Sequence, residues 1–308
     1  MTALSKPALA ALVSAMNSPG RVPTPLADLR RRLEQLETLP VLPETGRRAN
    51  ELLADPEAGM EQLVALVAND PNLAAQILRW SNSPLYARGI AIDNLRDAVV
   101  RLGRDVVLNL ALAASASRSL SLPRAGVLGS QALWREAFVT ANLASALARQ
   151  LQLSRASGGV VYLGGLLHNL GLFLLGHECP EEYALLRRVA SANPAVELLR
   201  LETLTVNVNH IVLGAWLLHE WSLPEAVVTA VREQRNPGYV GKHAEVAGLV
   251  CLAKGLLTEL GWVQNGMPAL PQALLERLGC SAAMIQAASD EVRAKLADLD
   301  ELAAAMQA

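Results

Sequence analysis

The chain has 308 residues, 52% of them hydrophobic, and 27 Lys and Arg against 29 Asp and Glu give a net charge of -2. That length suits one large domain or two small ones at the usual ~100–200 residues each. The short basic runs, Arg30 to Arg32, Arg47 with Arg48 and Arg187 with Arg188, lie among acidic residues, which argues against the basic stripe of a nucleic-acid binder.

Leu and Ala carry the apolar content, beside only two Phe and four Tyr, and both favour helix over strand. Residues 1–27 hold Pro7, Pro19, Pro23 and Pro25 and read as an N-terminal extension with a linker from Asn17 to Pro25. The apolar run 8–16 has only Lys6 before it, so it predicts an amphipathic helix rather than a secretory signal. Helical signals begin near Asp28. Glu44 to Ala54 reads as one helix and 60–69 as a second. Asp70-Pro71 restarts the chain, with Asp70 as cap and Pro71 at the first helical position, where no amide donor is missed. Asp93 is the expected cap of the next helix, which carries Leu95, Val99 and Leu102 on one face and stops at Gly103. Patterns at 104–119 and 130–151 predict long helices.

Val160 to Asn169 reads as a buried helix reaching Gly171. The apolar run to Leu175 is shorter than the ~20 residues of a membrane span and holds His168, Asn169 and several glycines, so no span is expected. Gly164 and Gly165 are expected to permit close packing. Further helices are expected at 180–192, 195–204, 209–220, 225–234, 243–260, 270–278 and 282–306, with Ser222 to Glu225 as a capping box. The pattern is all-α. Leu73, Ile77, Leu95, Val99, Leu102, Leu166, Leu167, Leu213 and Trp216 are the expected core.

Cys179, Cys251 and Cys280 form no CxxC pair and no disulfide framework, which points to a reducing cytoplasm. Among the titratable residues, His168-Asn169 ends a very apolar helix. Such groups are either core polar side chains bonded to backbone or the remnant of a metal site. His210 starts another apolar helix and His219 ends it; nine residues apart, they face opposite ways, and His210 is the better pocket candidate. His177 and His243 are expected at the surface. No P-loop, GxSxG or HExxH motif is present.

The motifs have a characteristic order. Leu39-Pro40-Val41-Leu42-Pro43 is followed by Asn69-Asp70-Pro71-Asn72-Leu73, Asn82-Ser83 and Asp97 to Gly103. Trp134, Gly165 to Gly171, Glu202, His210 to Trp216 and Trp221 to Pro224 come after. This ordered set resembles the HDOD family, the HD-related output domains of bacterial signal transduction. The resemblance implies a two-lobed helical fold, with one lobe an HD-like bundle related to the metal-dependent HD phosphohydrolases. It implies an HDOD domain over 28–262 and a helical segment, 263–308, packed on it.

The resemblance also implies where the hydrolases' metal ligands fall. Their first His corresponds to Glu136, their His-Asp pair to His168-Asn169 and their later Asp to Lys254. Asn169 is neutral where an anionic ligand would stand, and Lys254 puts a cation where a cation would bind. The expectation is a vestigial site, with Glu136, His168 and His210 as the remaining metal candidates, and no cofactor. His168, Asn169 and His210 are expected in one pocket. The function implied is a non-catalytic signalling output or scaffold, a pseudoenzyme whose partners are signalling proteins of cyclic-dinucleotide networks, with no membrane or nucleic acid. A metal-dependent phosphohydrolase acting on a nucleotide or cyclic dinucleotide is the alternative, and a nucleotide-binding sensor a third reading.

Overall fold

The computed structural model describes residues 39–87, 89–267 and 272–306. The expected N-terminal extension and the helical start at Asp28 lie outside the described residues. Among those described there is no strand.

The first helices are α1 (Glu44–Ala54), α2 (Met60–Ala68), α3 (Pro71–Ser81), α4 (Leu95–Leu102) and α5 (Arg104–Ser119). They pack on one another as a group, with α1 along α5 and α4 against α2 and α3. Asp70 caps α3 by accepting the Leu73 amide at 3.0 Å, and Pro71 fills the first turn. The cap of α4 is Asn94, not Asp93. Its side chain accepts the Asp97 amide at 2.9 Å and donates to the Asp97 carboxylate at 2.8 Å, a reciprocal pair that sets the start one residue later.

The second group is α6 (Ser130–Gln150), α7 (Arg155–Leu167), α8 (Leu170–Glu178), α9 (Pro180–Ala192), α10 (Leu198–Thr205), α11 (His210–Glu220), α12 (Glu225–Arg232) and α13 (Ala244–Glu259). Here α6, α7, α12 and α13 form a bundle, and α8 crosses α11 beside it. The chain ends in α14 (Gln272–Leu278), α15 (Ala282–Arg293) and α16 (Leu296–Ala305). The last two interrupt the single helix expected over 282–306 at Ala294-Lys295, and both lie against α6. Carbonyls at the end of the chain also bind the first group: Gln76 donates to Ala305 O at 3.3 Å and Ser117 to Met306 O at 3.1 Å.

Two glycines set the spacing of the second group. A Cβ on Gly165 would lie 2.7 Å from Ala141 Cα, so α7 rests on the α6 backbone. A Cβ on Gly171 would lie 1.7 Å from His210 O, so the start of α8 touches the start of α11. Trp134, fully buried, fixes the rotation of α6: its indole N–H donates to Ser117 Oγ at 3.2 Å and its ring tilts against Phe173 at 5.1 Å.

Leu73, Ile77, Val99, Leu102, Leu166, Leu167 and Leu213 are buried as expected. Leu95 and Trp216 are only half-buried, since both sit at the edges of their helices' packed faces. Ser222 does not open a capping box. It stands in the left-handed conformation (φ 57°) that ends α11, and α12 starts after Pro224 without a side-chain cap. The run Gly158–Glu178 is long and apolar enough to cross a membrane, but 78% of that window is buried within the molecule.

The glycine contacts give a direct test. Gly171→Ala is expected to cost roughly 3 kcal/mol, because backbone on both helices must move. Gly158→Ala, which meets open space, is expected to leave the melting temperature unchanged or slightly raised. Equal melting temperatures for the two variants would refute the close α8–α11 contact.

Candidate functional site

The expected helix through Asn169 is broken at its end. His168 and Asn169 form a turn between α7 and α8. The imidazole Nδ1 of His168 lies 2.6 Å from Gly165 O, the carbonyl that a continuing helix would have bonded to the Asn169 amide. Side-chain capture of a helix carbonyl thus ends α7, and the Asn169 carbonyl starts α8 by accepting the Leu172 amide at 2.9 Å.

Because α7 lies on α6 at Gly165, His168 reaches Glu136 on α6. Its Nε2 stands 3.3 Å from Glu136 Oε1. Lys254, on α13, donates to the same oxygen at 3.2 Å. The three residues therefore meet. His168 is fully buried and the Lys254 side chain is 8% exposed, whereas Glu136 keeps 23% of its side chain exposed. Asn169, also buried, turns its amide to the Leu133 carbonyl at 3.4 Å. His210 takes a different partner. Its Nδ1 lies 2.5 Å from Glu202 Oε1, and its backbone N–H donates to the other carboxylate oxygen at 3.2 Å. Both residues are buried, and His210 Nε2 has no hydrogen-bond partner. His177 is exposed, while His243 is half-buried in a left-handed turn near Glu225.

The electrostatics follow from burial and the Lys254 charge. Burial pushes His168 down, and the Lys254 ammonium pushes it further, to about 4, so the ring is neutral at neutral pH. Burial alone would raise Glu136, but Lys254, with the contacts to His168, outweighs it and holds the carboxyl well below its ordinary range. Burial lowers Lys254 while Glu136 opposes the shift. A neutral ring whose Nδ1–H donates to Gly165 O presents a bare Nε2 toward the carboxylate, so that contact becomes a hydrogen bond only when His168 takes a second proton.

The related hydrolases' chemistry calls for a divalent metal here, and these residues do not fit one. The Lys254 ammonium already stands 3.2 Å from Glu136 Oε1. Asn169 offers its neutral amide to a backbone carbonyl. Among the described residues no three His, Cys, Asp or Glu side chains stand together as a metal-binding group. The bonds Glu136 makes are those of an internal ion pair, with the ammonium in the role of the cation.

Four residues around this cluster were not singled out as site candidates from sequence. Gln234, fully buried, donates to His168 O at 3.0 Å. Arg235 pairs with Glu197 at 2.9 Å and lies within the fields of Glu136 and Glu202. Glu202, seen only as part of a motif, holds His210 across a loop. Asn265 lies in the wall of a cavity of about 270 Å³ that Glu136 also lines, with Leu128, Leu133, Trp262 and Val263.

The chain matches the family model for the HDOD domain over residues 39–237. A crystal structure of a Marinobacter aquaeolei VT8 protein, provisionally assigned to signal transduction, is 32% identical with a TM-score of 0.79, covering 99% of this chain and 67% of that one. A crystal structure of a Shewanella amazonensis SB2B protein, provisionally assigned as a phosphohydrolase, shares the fold at 18% identity and TM-score 0.68, covering 91% of this chain and 98% of that one. An uncharacterized Treponema pallidum (strain Nichols) protein is 27% identical over 211 residues, 66% of this chain. The chain spans 39% of that curated relative's length.

The His168 shift fixes a pH dependence. Its folded value lies below its unfolded one, so the unfolded chain binds more protons between the two. Stability is expected to fall as pH drops from about 6.5 to about 4, by on the order of 3 kcal/mol. The lowered Glu136 adds its own loss only below about 4.5, where the unfolded carboxyl begins to protonate. Urea midpoints measured from pH 7 to 5 should decline, and His168→Gln should flatten that decline. An unchanged slope in the variant would contradict a buried neutral His168.

Proposed function

The chain belongs to the HDOD family, and from that premise we propose that it is a non-catalytic output or scaffold module of bacterial regulatory networks, working through bound proteins or nucleotide ligands. Lys254 on Glu136 carries this reading. A site meant to activate water on a divalent cation needs anionic ligands free to hold it, and here the best-placed carboxylate is already neutralised from within. Asn169 supports it from the other side, because a neutral amide cannot supply the missing charge. Family membership by itself fixes no activity.

The proposed partners are signalling proteins, among them those of cyclic-dinucleotide networks, without nucleic acid or membrane. The near-neutral charge and interspersed basic residues agree with that. A cytoplasmic location agrees with three cysteines that are buried and free.

A second reading, a metal-dependent phosphohydrolase, has one observation behind it. His168 is held through Nδ1 on a backbone carbonyl, as metal-binding imidazoles commonly are, leaving Nε2 bare. Elemental analysis of the purified chain, with an assay on bis(p-nitrophenyl) phosphate in added Mn²⁺, separates the two. The expected result is less than one metal per chain and hydrolysis at background. Asn169→Asp alone should not restore hydrolysis, because Lys254 still covers Glu136. Two metals per chain with phosphodiester cleavage in the unmodified protein would overturn the non-catalytic reading.

A further inference from the structure

We propose that the cavity between the two groups of helices binds a small neutral aliphatic molecule that carries one alcohol or primary amide group. The inference goes beyond the reading above and stands whether or not the Glu136 site is catalytic. The cavity, of about 260 Å³, lies where α5 meets α7. That is just under the ~300–1,000 Å³ of ordinary ligand pockets, so the molecule is small. Leu53 and Pro56 line it from the first group, and Val160, Leu163, Pro224 and Val227 line it from the second. Among the described residues the lining holds no aromatic ring, which suits an aliphatic ligand held by dispersion.

Asn109, inside α5, supplies the independent observation. It is 2% exposed and lines the cavity. Among the described residues its side chain makes no hydrogen bond: Oδ1 is sealed without a donor, and Nδ2, which is not sealed, has no acceptor. Buried polar groups are nearly always bonded, so an idle amide in a cavity wall points to a ligand. Water answers it poorly, since an enclosed water needs about three polar partners and α7 and α12 offer aliphatic side chains. No partner fixes which end of the amide faces inward, and a half-turn exchanges the two. The matching group therefore both donates and accepts, as a hydroxyl or a primary amide does.

Two charged residues also line the cavity, and they answer each other. Arg104 Nη1 lies 3.4 Å from Asp105 Oδ1, while Nη2 donates to Leu52 O at 2.5 Å and to Asp55 O at 2.6 Å. The wall thus presents both signs side by side. An ion of either sign would give up its water for a neighbour of its own sign as well as one of the opposite sign. Gly159 keeps the space open: a Cβ there would meet nothing nearer than Asp105 Oδ2, at 4.0 Å. Both groups of helices supply walls, so an occupant ties them together. A bound effector would in this way bear on how the two groups are arranged.

Ligand-observed NMR titration of the full chain with cyclohexanol, cyclohexanecarboxylate and cyclohexylammonium tests this, since the three share a ring and differ in charge. Cyclohexanol is expected to bind saturably at one site, and each ion at least tenfold more weakly. Gly159→Leu builds into the open space from a Cβ position with no neighbour inside 4.0 Å. It should weaken cyclohexanol at least tenfold while leaving the melting temperature unchanged or raised. Asn109→Leu removes the amide at nearly constant volume. It should raise the melting temperature and weaken cyclohexanol roughly fivefold, and it keeps the test open if Gly159→Leu does not fold. No saturable binding of cyclohexanol up to about 10 mM, a level generous for a ligand of this size, would overturn the proposal. Equal binding of either ion, or an affinity left unchanged by either variant, would overturn it too.

Discussion

A buried ammonium must have a partner. Taking the Lys254 charge out of water is tolerable only if an anion meets it, and the anion is Glu136, 3.2 Å away on the neighbouring helix. The other features of the site answer to this pair. The carboxylate stays ionised because the ammonium is there. His168 stays neutral because burial and that same ammonium disfavour a second positive charge beside them. The internal cation balances the Glu136 carboxylate.

The pair forms because three helices converge closely. Gly165 lets α7 rest on α6 at Ala141, which places the His168 turn within reach of Glu136. α13 packs on both helices and delivers Lys254. On the far side of the turn, Gly171 admits α11 and with it the His210–Glu202 pair. Arg235, paired with Glu197, lies within the fields of both Glu136 and Glu202. The result is a polar seam through an otherwise apolar bundle, its charges mostly compensated in place.

Much of the fold is legible in the sequence, because its helices are punctuated by local chemistry. Asp70-Pro71 and Gly103 mark boundaries that hold to the residue, and Gly165 carries its packing role openly. The misreadings have tertiary causes. The Asp93 or Asn94 cap depends on a bond back from Asp97, and the break at Ala294-Lys295 has no glycine or proline to announce it. The turn at His168-Asn169 depends on one side chain capturing a carbonyl, which no periodicity records. In the site, His168-Asn169 stood out as polar residues ending an apolar helix, whereas Glu136 and Lys254 could be placed only by motif order. Glu202 and Asn265 could not be given roles at all, since the His210 partnership crosses a loop and the unused Asn265 oxygen depends on four other bonds.

The ion pair is the centre of this account, and a double-mutant cycle on Glu136→Gln and Lys254→Met, read by chemical denaturation with and without Mg²⁺ or Mn²⁺, measures it most directly. The account expects a favourable coupling of about 1–3 kcal/mol between the two side chains, with no stabilisation of the unmodified protein by either metal. A coupling near zero, together with marked stabilisation of the unmodified chain by metal, would mean that Glu136 serves an external cation and not Lys254.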